Sequence, residues 1–192
     1  MKEDNKQTLL DRRYLRMALI WAENSYCRRR KVGALVVKDK MIISDGYNGT
    51  PSGFENVCED DNNVTKPYVL HAEANAITKL ARSSNNSDGA TLYVTASPCI
   101  ECSKLIIQAG IRRVVYDEQY RLNDGVELLK RAGIEVVHLP IDDNKERGEI
   151  ASAEDTCHVY KSKSKGTYEL VYSFGWYLKK FIDDVKEKGA TP

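Results

Sequence analysis

Between residues 91 and 139 the chain states one phrase twice and begins it a third time: a β-branched run, then a helix-forming run, then a glycine. TLYVTA (91–96) reads as a strand, Cys99–Ala109 as a helix closed by Gly110, and RRVVYD (112–117) as a strand. Asp124–Ala132 is then a helix closed by Gly133, and IEVVHL (134–139) a strand. Gln-Ala-Gly-Ile and Arg-Ala-Gly-Ile each put glycine just past a helix end, where a left-handed residue is needed to stop it. Strands that alternate with helices of about ten residues require right-handed crossovers and a partly parallel sheet covered on its faces.

The earlier half fits the same frame. Residues 8–27 read as a helix, opened by a capping-box-like Thr8 and Asp11, with Leu15, Ala18, Leu19 and Ala22 at helical spacing. GALVVK (33–38) and MIIS (41–44) are strands joined by the tight turn Asp39-Lys40, and DGYNGTPSG (45–53) is a loop by composition. HAEANAITKLAR (71–82) has strong helix formers and runs into the polar SSNNSDG. The expected fold is α/β, a three-layer α/β/α sandwich on a five-stranded mixed sheet whose first two strands form a hairpin.

Composition removes several classes. With 29 Lys+Arg against 28 Asp+Glu the formal net charge is +1, which argues against a nucleic-acid-coating protein and against wholesale disorder. No apolar run reaches the roughly 18 residues of a membrane span. The polar start MKEDNKQTLL lacks a signal-peptide core. Five cysteines, two of them in Cys99-x-x-Cys102, point to metal or redox chemistry in a reducing, cytoplasmic setting rather than to a disulfide framework.

The pattern ends at Pro140. Residues 1–140 form the expected domain and 141–192 an extension of unknown role. Seven of the sixteen aromatic residues fall between Tyr160 and Phe181. Tyr168, Val171, Tyr172 and Gly175 suit one helical stripe, although the composition equally suits a strand.

Chemistry concentrates between residues 71 and 102. His71-x-Glu73 opens one helix and Pro98-Cys99-x-x-Cys102 another, with a single strand between them. Both helix starts fall at one sheet edge, where an imidazole and two thiolates can converge on a tetrahedral zinc with a fourth position left for water. Two helix N-termini favour thiolates there, and Pro98 suits a first helical position. Glu73 lies about 200° around the helix from His71 by the helical period, so it serves as a proton carrier rather than as a fourth ligand. The combination is the signature of zinc-dependent nucleobase deaminases. A redox pair, or a structural zinc completed by His138, by His158 or by the Cys157-His158 pair, are the rival readings of the same residues.

GYNGTPSGFENVC (46–58), HAEANAI (71–77), YVTASPCIECSKLIIQAGI (93–111) and Tyr120 make the chain resemble the deoxycytidylate (dCMP) deaminases, especially those of phages and viruses, over residues 10–140. The resemblance implies hydrolysis of dCMP to dUMP and ammonia, feeding dTMP synthesis. His71, Cys99 and Cys102 become the zinc ligands and Glu73 the proton shuttle. Asn48 and Tyr120 become substrate contacts. The resemblance also implies a homohexamer activated by dCTP with Mg²⁺ and inhibited by dTTP, bound at Gly46, Tyr47, Asn48 and Gly49.

Some phage relatives hold a second, structural zinc at positions matched by Cys27 and Cys58. Here the ligand-bearing insertion is missing and Val69 stands where an acid is expected; two free thiols are the alternative. For the 5′-phosphate, Arg28-Arg29-Arg30-Lys31 supplies cations. Other substrates remain open: a tRNA adenosine, a 5-substituted cytidylate, free cytidine, guanine or a riboflavin precursor. So does a non-catalytic, zinc-stabilised binding module.

Overall fold

The computed structural model describes residues 2–120 and 122–141, which lie within the first of two units of the chain, Met1–Glu146. The expectations for residues 142–192, including the Tyr168–Gly175 stripe, Cys157 and His158, lie outside the described residues.

Among the described residues nine elements follow in the expected order: α1 (Lys2–Ala22), β1 (Gly33–Lys38), β2 (Met41–Tyr47), α2 (Ala72–Leu80), β3 (Thr91–Ala96), α3 (Ile100–Gln108), β4 (Arg113–Glu118), α4 (Asp124–Arg131) and β5 (Glu135–His138). The sheet order is β2-β1-β3-β4-β5. β1 pairs antiparallel with β2 and β3, whereas β3, β4 and β5 are parallel. The hairpin turn is made by Asp39 and Lys40, both at positive φ (51° and 63°), the geometry that matches strand twist. Gly110 and Gly133 end α3 and α4 at φ 72° and 77°, as their position in the sequence requires.

Period-two alternation divides the core. Ala34, Val36, Leu92, Val94, Val114 and Tyr116 face α2, α3 and α4, and pack there on Ala72, Ala76, Ile106, Val126 and Leu129. Their neighbours Leu35, Val37, Tyr93 and Val115 face α1, against Tyr14, Leu15 and Ala18. The three crossover helices therefore share one face, and α1 covers the other.

Three local expectations change. α1 begins at Lys2, six residues before Thr8, so Thr8 and Asp11 lie inside the helix and form no cap. Asp11 is instead buried, and its carboxylate accepts from Tyr93 Oη at 2.7 Å and from both terminal nitrogens of Arg113 at 2.8 Å. The helix stops at Ala22 rather than residue 27, because Glu23, Asn24 and Ser25 donate to the carbonyls of Ile20, Trp21 and Ala22 in a tightened final turn. β2 extends to Tyr47, since Gly46 takes the chain against α2: a Cβ there would lie 2.2 Å from the Ala72 carbonyl oxygen.

Candidate active site

His71 and Cys99 occupy the same structural position, the N-caps of α2 and α3, with extended backbone (φ −74°, ψ 157° and φ −75°, ψ 170°). Residues at this position ordinarily turn a side-chain oxygen back onto the helix amides. Neither side chain caps its helix here, so both are free to point into the space between the two helix starts. Cys102 follows one turn into α3. Pro98 precedes the N-cap and is not the first helical residue. It is fully buried, and its carbonyl abuts Gly125 of α4.

The ligand atoms of His71, Cys99 and Cys102 lie within 4.8 Å of one another, and His71 Nδ1 is 3.4 Å from each sulfur. A tetrahedral zinc with Zn–N of about 2.05 Å and Zn–S of about 2.3 Å requires an N···S separation of roughly 3.6 Å. The triangle therefore fits a zinc ion, and its donor set, one imidazole and two sulfurs, is one that zinc accepts. Among the described residues no fourth His, Cys, Asp or Glu joins the group. His138 stacks on Tyr116, ring centroids 4.8 Å apart, and so takes no part.

Electrostatics follow from burial and proximity. The Cys102 thiol hydrogen-bonds the Cys99 sulfur and holds its pKa down to about 3, with the His71 imidazole adding to the effect. Cys102 is pushed up by that same bond and by burial. His71 is raised by its bond to Cys99. Glu73 is 4% exposed, and burial pushes its carboxyl up to about 7. It is a carboxylic acid poised to take and return protons near neutrality.

His71, Glu73 and Cys99 line a cavity of about 420 Å³, whose walls also include Arg29, Arg30, Asn48, Ser97 and Tyr120. Of the basic run, Arg29 and Arg30 reach the cavity. The Arg28 side chain is 66% exposed and pairs with Glu59, and Lys31 donates to the Glu23 carbonyl. Arg30 binds Glu118 and sits over the Tyr120 ring, 5.5 Å from its centroid. Asn48 is partly committed: its Oδ1 accepts from Val32 N at 2.8 Å and its Nδ2 donates to Arg30 O at 2.9 Å, which leaves one amide hydrogen for a ligand. Ser97, Gln119 and Glu59 also line the cavity and were not singled out by sequence. Ser97 Oγ accepts from Tyr120 N at 2.8 Å and so holds that tyrosine at the rim. A serine directly before Pro-Cys-x-x-Cys was the one available signal.

The loop glycines divide. Tyr47 and Gly49 line a second cavity of about 470 Å³ beside Lys79 and Phe54, whereas Gly46 is packed on α2 and Asn48 faces the first cavity. Cys27 and Cys58 are bonded to each other as a disulfide, Cα atoms 5.1 Å apart. No third metal-ligating residue joins them among the described residues, so nothing here supports a second zinc, and the alternative of two free thiols is corrected to a bonded pair.

The profile of the cytidine and deoxycytidylate deaminase zinc-binding region matches residues 9–118. The deoxycytidylate deaminase of Enterobacteria phage T4 is 36% identical over 169 residues, covering 66% of this chain and 88% of that protein. That of Mycobacterium phage D29 is 40% identical over 123 residues, covering 57% and 94%. The crystal structure of dCMP deaminase from cyanophage S-TIM5, in complex with dCMP and dUMP, has 46% sequence identity and a TM-score of 0.66, covering 72% of this chain and 98% of that one. With its fold, its ligand triangle and its buried acid in agreement with that profile, this chain belongs to the cytidine and deoxycytidylate deaminase zinc-binding family.

Proposed function

We propose that the chain hydrolyses dCMP to dUMP and ammonia, with His71, Cys99 and Cys102 holding zinc and Glu73 moving the protons. The observation that carries this reading is a buried carboxyl of near-neutral pKa beside an open His/Cys/Cys triangle, at the floor of a cavity rimmed by two arginines. The chemistry that a zinc ion supplies there when bound is acidification of water to a pKa near 7. Glu73 takes the proton of the water that attacks C4 of the cytosine. It delivers that proton to the ring nitrogen and then carries one to the amino group, which leaves as ammonia. Burial of Glu73 keeps bulk water from competing for the proton.

Arg29 and Arg30 supply the cations that a 5′-phosphate needs, and Arg30 stacked on Tyr120 joins the phosphate end to the sugar and base end. The remaining amide hydrogen of Asn48 suits a sugar hydroxyl. A monoanionic or dianionic nucleotide is favoured over a free nucleoside for this reason, and over tRNA because the cavity rim carries only these two arginines and the chain is nearly neutral overall.

Regulation by dCTP with Mg²⁺ and by dTTP is proposed for the second cavity, where Tyr47 and Gly49 meet Lys79; Asn48 between them faces the substrate cavity, so the two share a backbone segment. A homo-oligomer, a hexamer by the family resemblance, is supported by the exposed Leu9, Met17 and Ile20 along α1. Among the described residues no helix is long and apolar enough to cross a membrane. A cytoplasmic location and a role in supplying dUMP for dTMP synthesis are proposed from the family resemblance. Residues 1–140 are taken as the deaminase domain.

The test is loss of cytosine absorbance on a panel of dCMP, CMP, dCTP, deoxycytidine and a tRNA anticodon stem, each with and without dCTP–Mg²⁺ and dTTP. Turnover of dCMP far above the others supports the reading. Turnover of none of the nucleotides by zinc-loaded protein rejects it, and a hyperbolic dCMP curve unmoved by either effector rejects the regulation.

A further inference from the structure

Glu59 belongs to no catalytic motif, yet it is a carboxylate at the wall of the substrate cavity with only 2% of its surface exposed. Burial disfavours its charge, and three donors offset that cost. Arg28 N–H lies 3.1 and 3.2 Å from its two oxygens, and Arg29 N–H lies 3.1 Å from Oε1. The Arg28 guanidinium adds a looser contact at 3.6 Å. The residue before Glu59 is Cys58 and the residue before Arg28 is Cys27, and these two are joined covalently. The 58–59 segment thus clamps the 27–29 segment through one disulfide and a forked carboxylate.

That clamp decides where the arginines point. Carboxylate bonds to two successive amides fix the backbone of Arg28 and Arg29, which sends the Arg28 side chain outward and the Arg29 side chain to the cavity. There Arg29 Nη1 donates to Thr65 Oγ1 at 3.2 Å. Thr65 is itself bridged to Glu59 across a short antiparallel contact, so the same small hairpin holds Arg29 at its backbone and at its tip. The remaining guanidinium N–H groups are left for a ligand.

We infer that Glu59 is the positioning residue for recognition of the substrate's 5′-phosphate: it touches no reacting atom, and acts by orienting Arg29 toward the phosphate. This rests on the proposed dCMP reading and adds to it the residue that makes the enzyme prefer a nucleotide to a nucleoside. Binding energy gained at a phosphate remote from the reacting carbon, and present in substrate and transition state alike, appears in KM rather than in kcat.

The experiment measures kcat and KM for dCMP and for deoxycytidine in the wild type, Glu59→Ala, Glu59→Asp and Glu59→Gln, each zinc-loaded and full length. Glu59→Ala is expected to raise KM for dCMP by about tenfold with kcat within about threefold, and to leave kcat/KM for deoxycytidine unchanged. Glu59→Gln keeps an acceptor oxygen for both amides and is expected to restore KM to within about threefold of the wild type. Glu59→Asp retains the buried charge but withdraws the carboxylate by one methylene, so it shows the KM defect even if the alanine variant does not fold. Equal losses on dCMP and deoxycytidine would make Glu59 a merely structural residue and overturn the inference, as would a KM for dCMP unmoved in both Ala and Asp variants. A wild type that does not prefer dCMP to deoxycytidine would fail at an earlier step, removing the dCMP reading and the inference with it.

Discussion

Gly125 is where the fold presses most directly on the metal-binding turn. It stands in the first turn of α4, and a Cβ built there would lie 2.2 Å from the Pro98 carbonyl oxygen and 2.7 Å from the Cys99 carbonyl carbon. Carbon–oxygen contacts settle at about 3.3 Å, so Gly125→Ala demands a displacement of roughly 1 Å. α4 cannot take up that shift, because Val126 and Leu129 anchor it in the larger core. The movement passes to the backbone of Cys99, where metal–ligand distances tolerate only about 0.2 Å. Overpacking of this kind costs about 1–3 kcal/mol, which lowers Tm by about 3–10 °C in a domain of this size. A misplaced ligand shell weakens metal binding by about 10–100-fold.

The assay is chelator competition for zinc, with Tm and turnover measured on the same samples. Gly33→Ala is the control, since its Cβ would lie 2.1 Å from the Ala18 carbonyl oxygen, an equal clash against α1 with no ligand attached. It should lose comparable Tm and keep its zinc affinity. If both variants lose zinc equally, or if Gly125→Ala keeps wild-type affinity and rate, the argument that α4 braces the metal turn is wrong.

Two further outcomes follow from buried charges. Burial alone would raise the Asp11 carboxyl, but bonds from Arg113, Tyr93 and Gln7 outweigh it and hold the group below the usual carboxylate range. Arg113→Met leaves that carboxylate without its guanidinium and should cost about 3–5 kcal/mol at pH 7 in urea unfolding. A pKa depressed on folding stabilises above the unfolded value and is lost as pH falls, so the gap between variant and wild type should close below about pH 4; a constant gap would refute this. Glu73 has the opposite sign: its pKa is pushed up from 4.5 to about 7, so the folded state holds the proton more tightly. After chelation, wild type should lose stability on the order of 3 kcal/mol relative to Glu73→Gln as pH rises from 5 to 8. Parallel pH profiles for the two proteins would contradict it.

How legible each feature was depended on how far apart its parts lie in sequence. Gly110, Gly133 and the Asp39-Lys40 turn are local devices, so the helix and strand ends they bound could be read within a residue or two. The meeting of His71, Cys99 and Cys102, with Glu73 beside them, was legible because the proposed zinc chemistry asks for those residue types at helix starts. The wrong start for α1 came from reading Thr8 and Asp11 as a local cap. Asp11 is explained by Tyr93 and Arg113, 82 and 102 residues away. The same holds for Glu59 with Arg28 and for the contact of Gly125 with Pro98. Nothing in a stretch of the chain marks such a residue, because its partner exists only once the sheet has formed.

The central claim is that one water is added across C4 of dCMP by this set of residues, and isotope transfer tests it most directly. With zinc-loaded enzyme and dCMP in ¹⁸O-labelled water, the account predicts dUMP carrying a single heavy oxygen on the base, one ammonia released for each dUMP, and loss of both in Glu73→Gln that still binds zinc. Product without label, or turnover that survives in Glu73→Gln, would contradict it.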